Sequence, residues 1–276
     1  VISMKISFEF FPPRTEQGKE NLQKVRKELS IIKPEYFSTT FGAGGTTQDA
    51  TLETVLDIQK NDGVPATPHL SCIDSEKGKI VKLLNQYKSA GINRIVALRG
   101  DIPSGVRDIG DFHYANELVA FIRSEYGDHF HIEVAAYPES HPQAKNIQTD
   151  MQHFANKVKA GANGAITQYF YNADAYFRFV DEVQKLGVDV PITPGIMPIT
   201  NHTQLLRFSN MCGAEIPKWI LERLKFFDDD LESLAEFGFD VVANLCDQLK
   251  SQGVDSFHFY SMNKSQPSLK LAQSLK

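Results

Sequence analysis

Strand-like runs at intervals of about 30 residues, amphipathic helical stretches between them and a length of 276 residues predict an α/β chain folded as one (βα)8 TIM barrel. Such barrels take roughly 250 residues, so one closed sheet accounts for residues 1–276 as a single domain.

The first strand is read at Ile6 to Phe11, where "ISFEFF" runs into Pro12 and Pro13. Leu22, Val25, Leu29 and Ile32 then fall on one helical face. The second strand, Tyr36 to Phe41, runs into the glycine-rich stretch Gly42 to Gly45. The third, Ala66 to Cys72, precedes a helix with Val81, Leu84 and Tyr87 on one side, stopped at Ala90 and Gly91. The fourth strand is Arg94 to Leu98; Leu118, Phe121 and Ile122 mark the helix that follows, and Ile132 to Tyr137 is the fifth. Helix stops at Ala160–Gly161 and Leu186–Gly187 introduce the sixth strand, Gly164 to Phe170, and the seventh, Ile192 to Ile196. Ahead of the eighth, Ser256 to Ser261, the stretch Ile216 to Glu232 has room for an extra helix before a long one containing Val241, Val242, Leu245 and Leu249. No linker or internal repeat interrupts this rhythm, which favours a closed barrel over an open sheet.

Composition narrows the partners. With 42% hydrophobic and 11% aromatic residues there is material for a large core, and the net charge of -5 is spread without a basic stripe for nucleic acid. Small molecules are the expected partners. No apolar run reaches the ~18 residues of a membrane span, and the start lacks a signal peptide's apolar core, so a cytoplasmic protein is expected. Cys72, Cys212 and Cys246 lie far apart with no C-x-x-C spacing and read as reduced packing residues.

Functional groups of such a barrel gather where strands end. Polar residues do collect there: Glu9, Thr40, His69, Ser71, Arg99, Asp101, Tyr137, Glu139, His141, Gln168, His258 and Tyr260. Singly, Thr40 and Ser71 read as hydroxyls bonded to nearby backbone, His69 as a satisfied core histidine, and Arg99 with Asp101 as a loop ion pair. The run Gly42 to Gly45 lacks the spacing of a phosphate-binding loop. Together on one rim they indicate a site. Glu9 stands out within it, since a carboxylate in an apolar strand needs a partner or must stay protonated. No His-x-His closes the first strand, which argues against a metal-dependent hydrolase, and no lysine lies in the sixth, which argues against a Schiff-base aldolase. Glu9 and Asp101 could serve a glycosidase, but Trp219, the one tryptophan, lies in the extra-helix stretch.

Eight motifs in order, "FEFFPPR" (Phe8 to Arg14), "TTFGAGG" (Thr39 to Gly45), "PHLSCID" (Pro68 to Asp74), "ALRGD" (Ala97 to Asp101), "AAYPESHP" (Ala135 to Pro142), "GANGAITQYFY" (Gly161 to Tyr171), "PGIMPITN" (Pro194 to Asn201) and "FHFYSMNK" (Phe257 to Lys264), resemble the methylenetetrahydrofolate reductases of the short bacterial type. The resemblance implies a barrel holding noncovalent FAD at the strand ends. It also implies hydride transfer from NADH or NADPH through the flavin to 5,10-methylenetetrahydrofolate, giving 5-methyltetrahydrofolate for methionine synthesis. It further implies FAD contacts at Thr40, His69, Leu98, Arg99, Gly100, Asp101, Tyr114, Ala115, Tyr137, His141, Asp150 and Lys157. Folate or nicotinamide contacts are implied at Gln168, Gln204, Phe208 and Lys264, with no metal. Asp101 resembles the family's carboxylate beside pterin and flavin. Glu9 resembles its general acid, and between Phe8 and Phe10 its pKa is expected to be raised toward working pH. Two departures are visible: Thr46 to Thr51 stand where many relatives carry arginines, and Lys264 where an arginine is common. The chain ends soon after the last motif, so no S-adenosylmethionine-sensing domain is expected; the family implies a homo-oligomer. The competing readings are a folate-dependent methyltransferase barrel and a non-catalytic flavin or folate binder.

Overall fold

The computed structural model describes residues 3–41, 45–73, 75–101, 110–227 and 229–276, without the side chains of 45–47. Gly42, Ala43, Gly44, Asp74 and the side chains of Thr46 and Thr47 therefore lie outside the described residues.

Strands β1 (Lys5–Phe10), β2 (Tyr36–Thr39), β3 (Ala66–Ser71), β4 (Arg94–Leu98), β5 (His131–Ala136) and β6 (Gly164–Thr167) pair in chain order, all parallel. The seventh strand read from the sequence is two short ones. Of these, β7 (Ile192–Thr193) pairs with β6, whereas β8 (Gly195–Ile196) pairs with β9 (Ser256–Tyr260), itself paired with β1. The sheet therefore begins and ends on one stretch of chain, divided at Pro194, and closes as a barrel. Proline has no N–H for the ladder, so the pairing changes sides there. The Pro194 carbonyl accepts from His258 N at 3.1 Å, and Gly195 N donates to Thr167 Oγ1 at 2.9 Å, stitching the seam from both sides.

Helices α1 (Glu16–Leu29), α2 (Gly45–Asn61), α3 (Lys77–Ser89), α4 (Ala115–Tyr126), α5 (Ile147–Lys159) and α6 (Ala173–Lys185) each link a strand to the next. Between β8 and β9 run α7 (His202–Cys212), α8 (Lys218–Phe226) and α9 (Leu231–Ser251), and α10 (Ser268–Leu275) follows β9. Side chains of Thr15, Asn146, Asn172, Asn201 and Asp230 accept backbone N–H groups at the starts of α1, α5, α6, α7 and α9, satisfying donors the helices cannot use themselves. Among the described residues no helix is long and apolar enough to cross a membrane.

Strand alternation sorts β1 into two faces. Phe8 and Phe10 turn outward to the helix layer, with ring centroids 5.7 Å from Phe259 and 5.0 Å from Phe37 respectively. Ser7 and Glu9 turn into the bore, where Ser7 Oγ meets His258 Nδ1 at 2.7 Å and Glu9 meets His69. Bulky aliphatics usually fill such a bore. Here Val96, Ile166 and Leu98 share it with Tyr36, and buried polar side chains occupy much of the rest.

Candidate active site

A cavity of about 460 Å³, in the usual size range of small-molecule sites, opens at the ends of the strands. Glu9, Thr40, His69, Ser71, Leu98, Gly100, Asp101, Tyr137, Gln168 and Tyr260, all singled out from sequence, line it. Sequence reasoning missed its apolar lining, Val96, Ile166, Met197 and Met262. Val96 lies two residues before Leu98 and Ile166 two before Gln168, both lining positions, so the strand's period of two was the signal available.

Glu9 Oε2 sits at the inner end of the cavity, 3.4 Å from His69 Nε2 and 3.6 Å from His258 Nε2. Its side chain keeps 20% exposure, while those of His69 and His258 keep 9% and 0%. Burial pushes the Glu9 carboxyl up, but the two imidazoles outweigh it and hold the group below the ordinary carboxylate value. The expectation of a raised pKa between Phe8 and Phe10 is thus overturned. Adjacent residues of a strand face opposite ways, so the phenylalanines never wall in the carboxylate. His69 is pushed down by burial, with Glu9 opposing.

Gln168 Oε1 accepts from Tyr169 N at 3.0 Å, which fixes the amide at the cavity wall. Tyr260 donates to Thr167 O at 2.6 Å, and burial drives its phenol far above the usual value. Tyr137 is pushed up to about 12 by burial, with Asp150 and Asp101 adding to it. His141 packs edge-on to Tyr137 at 4.6 Å, and its backbone N donates to Asp150 Oδ2 at 2.8 Å. Lys157 points inward, its Nζ donating to Ala135 O beneath the Tyr137 ring, and burial lowers its pKa to about 8 against the pull of Asp150. Arg99 lies 6.0 Å over the exposed Tyr114 ring, and one of its NH groups donates to Gln143 Oε1 at 3.3 Å. Ala115 is buried at the first position of α4.

Other residues fall away from the cavity. Glu139 is committed to Glu215 N at 2.7 Å and does not line it. His258 lies beneath Glu9 rather than on the rim. Gln204 and Lys264 are exposed, and Phe208 packs half-buried against the core from α7; none of the three lines the cavity. Cys72, Cys212 and Cys246 are free thiols, and no three metal-binding side chains cluster among the described residues.

Two features test the fit of a flavin. Arg99 Nε is buried with no protein partner, a donor left for an incoming anion. Gly100 has φ +82°, and a Cβ there would lie 3.0 Å from Ser71 Cβ, so only glycine lets this backbone lie against Ser71 in the cavity wall. Beside the Tyr137 ring, these groups suit an aromatic cofactor that carries phosphate.

Comparison with known proteins gives a family. Residues 2–276 match the family model described as methylenetetrahydrofolate reductase. The 5,10-methylenetetrahydrofolate reductase of Escherichia coli (strain K12) is 39% identical over 274 residues, covering 99% of this chain and 90% of that protein. Methylenetetrahydrofolate reductase (NADH) 1 of Arabidopsis thaliana is 37% identical over 282 residues, 98% of this chain but 48% of its own length. In fold, the chain resembles a solved Clostridium thermocellum protein described as binding two copies of 5-methyl-5,6,7,8-tetrahydrofolic acid, with TM-score 0.68 and 16% identity over 99% of this chain and 93% of that one.

Proposed function

The chain belongs to the methylenetetrahydrofolate reductase family, and from that premise we propose that it reduces 5,10-methylenetetrahydrofolate to 5-methyltetrahydrofolate with electrons from NADH or NADPH passed through noncovalent FAD. The observation that carries this reading is the meeting of Glu9, Thr40, His69, Gly100, Asp101, Tyr137 and Gln168 around one cavity. When bound, the flavin accepts a hydride from the nicotinamide and returns it to the folate carbon. Arg99, the backbone at Gly100, His141 and Lys157 would hold its phosphate-bearing arm, and Thr40, His69, Leu98 and Tyr137 its ring system, with Tyr114, Ala115 and Asp150 at the approach. Barrel and site form one catalytic unit in this reading, and its product feeds methionine synthesis.

Gln168 presents an amide that pairs with the pterin edge. Asp101, at the exposed end of the cavity, supplies a negative charge that stabilises a cationic iminium folate. Glu9 protonates the folate nitrogen whose release opens the five-membered ring. Its depressed pKa does not forbid this. Burial is the largest influence on Glu9 and acts upward, and aromatic ligands laid over its remaining exposed edge add to that influence alone. His69, itself pushed toward its neutral form, then offers no full charge to hold the proton away. Ligand binding thus makes Glu9 an acid.

The test is spectroscopic. Purified protein should carry or take up FAD, its flavin bands should bleach with NADH or NADPH, and they should return on addition of methylenetetrahydrofolate. Protein that is folded but refuses FAD, or a reduced flavin that folate leaves untouched, removes the reading.

A further inference from the structure

Below Glu9 the bore continues as a file of polar groups to the opposite, N-terminal mouth of the barrel. His258 Nε2 lies 3.6 Å from Glu9 Oε2, and His258 Nδ1 meets Ser7 Oγ at 2.7 Å. Ser7 and Tyr36 are register partners on β1 and β2, so their side chains enter the bore side by side, and the Tyr36 ring stacks on His258 at 5.8 Å. Arg94 lies 4.6 Å over the far side of Tyr36 and reaches Glu133 Oε1 at 3.2 Å. Glu133 Oε1 is 2.9 Å from Nε2 of His131, whose side chain is 39% exposed and meets solvent at that mouth.

Ser7, Tyr36, Glu133 and His258 are all at least nine-tenths buried. Ser38 Oγ, Thr67 Oγ1 and Glu133 Oε2 lie in the same bore without a protein partner, which is where ordered water pairs with buried polar groups. So polar a bore is costly for a scaffold that could be filled with aliphatic side chains. Resting on the reductase reading, a use for it follows. Each folate turnover moves one proton from the Glu9 carboxyl to a folate nitrogen while a hydride reaches the folate carbon. Glu9 is left as a carboxylate, and one proton from bulk water must restore it. Flavin and folate would cover the cavity mouth above it.

We propose that this proton arrives from below, entering at His131 and Glu133 and passing by way of Tyr36, Ser7 and His258 to Glu9. With Tyr36 donating to Ser7 and Ser7 to His258 Nδ1, the His258 proton sits on Nε2, the atom facing Glu9. Transfer of that proton to Glu9 lets Ser7 and Tyr36 each hand its own onward; Tyr36 is reprotonated from Glu133 through water paired to Ser38 Oγ, Thr67 Oγ1 and Glu133 Oε2, and His131 with Glu133 takes the replacement from bulk water. Tyr36 and Glu133 touch no substrate and act only through Glu9.

Tyr36→Phe removes the hydroxyl but keeps the ring between Arg94 and His258, and Glu133→Gln removes the carboxylate at the intake. Anaerobic mixing of reduced, FAD-loaded enzyme with methylenetetrahydrofolate reads the first turnover, for which Glu9, ionised while the cavity is open, draws its proton as folate covers it. It should slow in both variants as much as later turnovers do. Continuous turnover should slow at least about tenfold, as expected when a general acid must wait for its proton, with a larger solvent deuterium isotope effect and unchanged flavin reduction by nicotinamide. NMR of the His258 ring N–H in protein loaded with FAD and 5-methyltetrahydrofolate should show slower exchange with water. Wild-type continuous rates and isotope effects in both variants overturn the proposal, as does an equal loss in flavin reduction by nicotinamide, the mark of a structural role. If Tyr36→Phe does not fold, Glu133→Gln alone decides by the same readings. Failure of wild-type reduced enzyme to react with folate at all sinks the reductase reading instead, and is seen before any variant is made.

Discussion

At the residue scale, two ionisable side chains carry separable tests. Glu9→Gln keeps size and hydrogen bonding but has no proton to give. Flavin reduction by nicotinamide should persist, while folate reduction should fall by the ~100-fold to ~10,000-fold that general acid catalysis supplies. Stopped-flow measurement of the two half-reactions checks this, and a comparable loss in both would make Glu9 a structural carboxylate. Lys157 is a base whose folded pKa is lowered from the usual 10.5 to about 8, chiefly by burial. Below about 8 both folded and unfolded chains carry the proton and the burial penalty is fully felt. Between about 8 and 10.5 the unfolded chain holds a proton that the folded one has lost, so the Lys157 contribution to stability rises with pH. Without flavin, Lys157→Met should therefore be more stable than wild type at pH 7 by roughly 1–2 kcal/mol, partial exposure having reduced the full effect. That advantage should shrink toward pH 10.5 in parallel denaturant titrations, whereas an advantage that does not vary with pH would clear the ammonium group of any role.

At the element scale, the seventh strand is where sequence reasoning and structure part. Periodicity and turn residues place every other strand within a few residues, because those strands are flanked by glycine, proline or asparagine and continue on both sides into neighbours. Ile192 to Ile196 reads as one run, but Pro194 splits it into β7 and β8, which face different partners. The composition of the run does not disclose which side each half serves. The misreading of Glu9's surroundings has a different cause. Phe8 and Phe10 are neighbours of Glu9 in sequence but not in the bore, and the true ones, His69 and His258, come from β3 and β9 at large sequence separation. The cavity's polar wall was legible because barrel sites sit at strand ends; Phe208, Gln204 and Lys264, known only by family likeness, fall outside that wall. The seam itself makes a prediction. A Cβ on Gly195 would stand 2.2 Å from Thr167 O and 2.5 Å from the Tyr260 hydroxyl, so Gly195→Ala must push β8 off β6 or turn Tyr260 away. A stability loss of about 1–3 kcal/mol is expected for such overpacking. FAD or folate affinity should weaken with it, since Tyr260 lines the cavity. Unchanged melting and affinity would mean that the seam yields freely.

At the scale of the whole molecule, one carboxylate is measured by two environments, the open cavity and the covered one. In the open protein Glu9's folded pKa lies below its unfolded value, since His69 and His258 outweigh burial. Such a group contributes stability that is present above the unfolded pKa, near the ordinary 4.5, and lost as pH falls through the lower folded pKa. The stability difference between wild type and Glu9→Gln should accordingly favour wild type at neutral pH and fade in acid. When ligands cover the cavity, the argument from burial reverses the direction, and Glu9 holds its proton to higher pH. The folate half-reaction should then decline as pH rises, with an apparent pKa above 4.5, while flavin reduction by nicotinamide shows no matching limb. The two experiments report opposite displacements of the same group, and the difference between them is the free energy that ligand burial invests in the acid. Denaturant titration across pH on the unliganded protein, set beside stopped-flow pH profiles of each half-reaction, checks the pair. A folate limb centred below 4.5, or an identical limb in both half-reactions, would show that covering the cavity does not make Glu9 the acid.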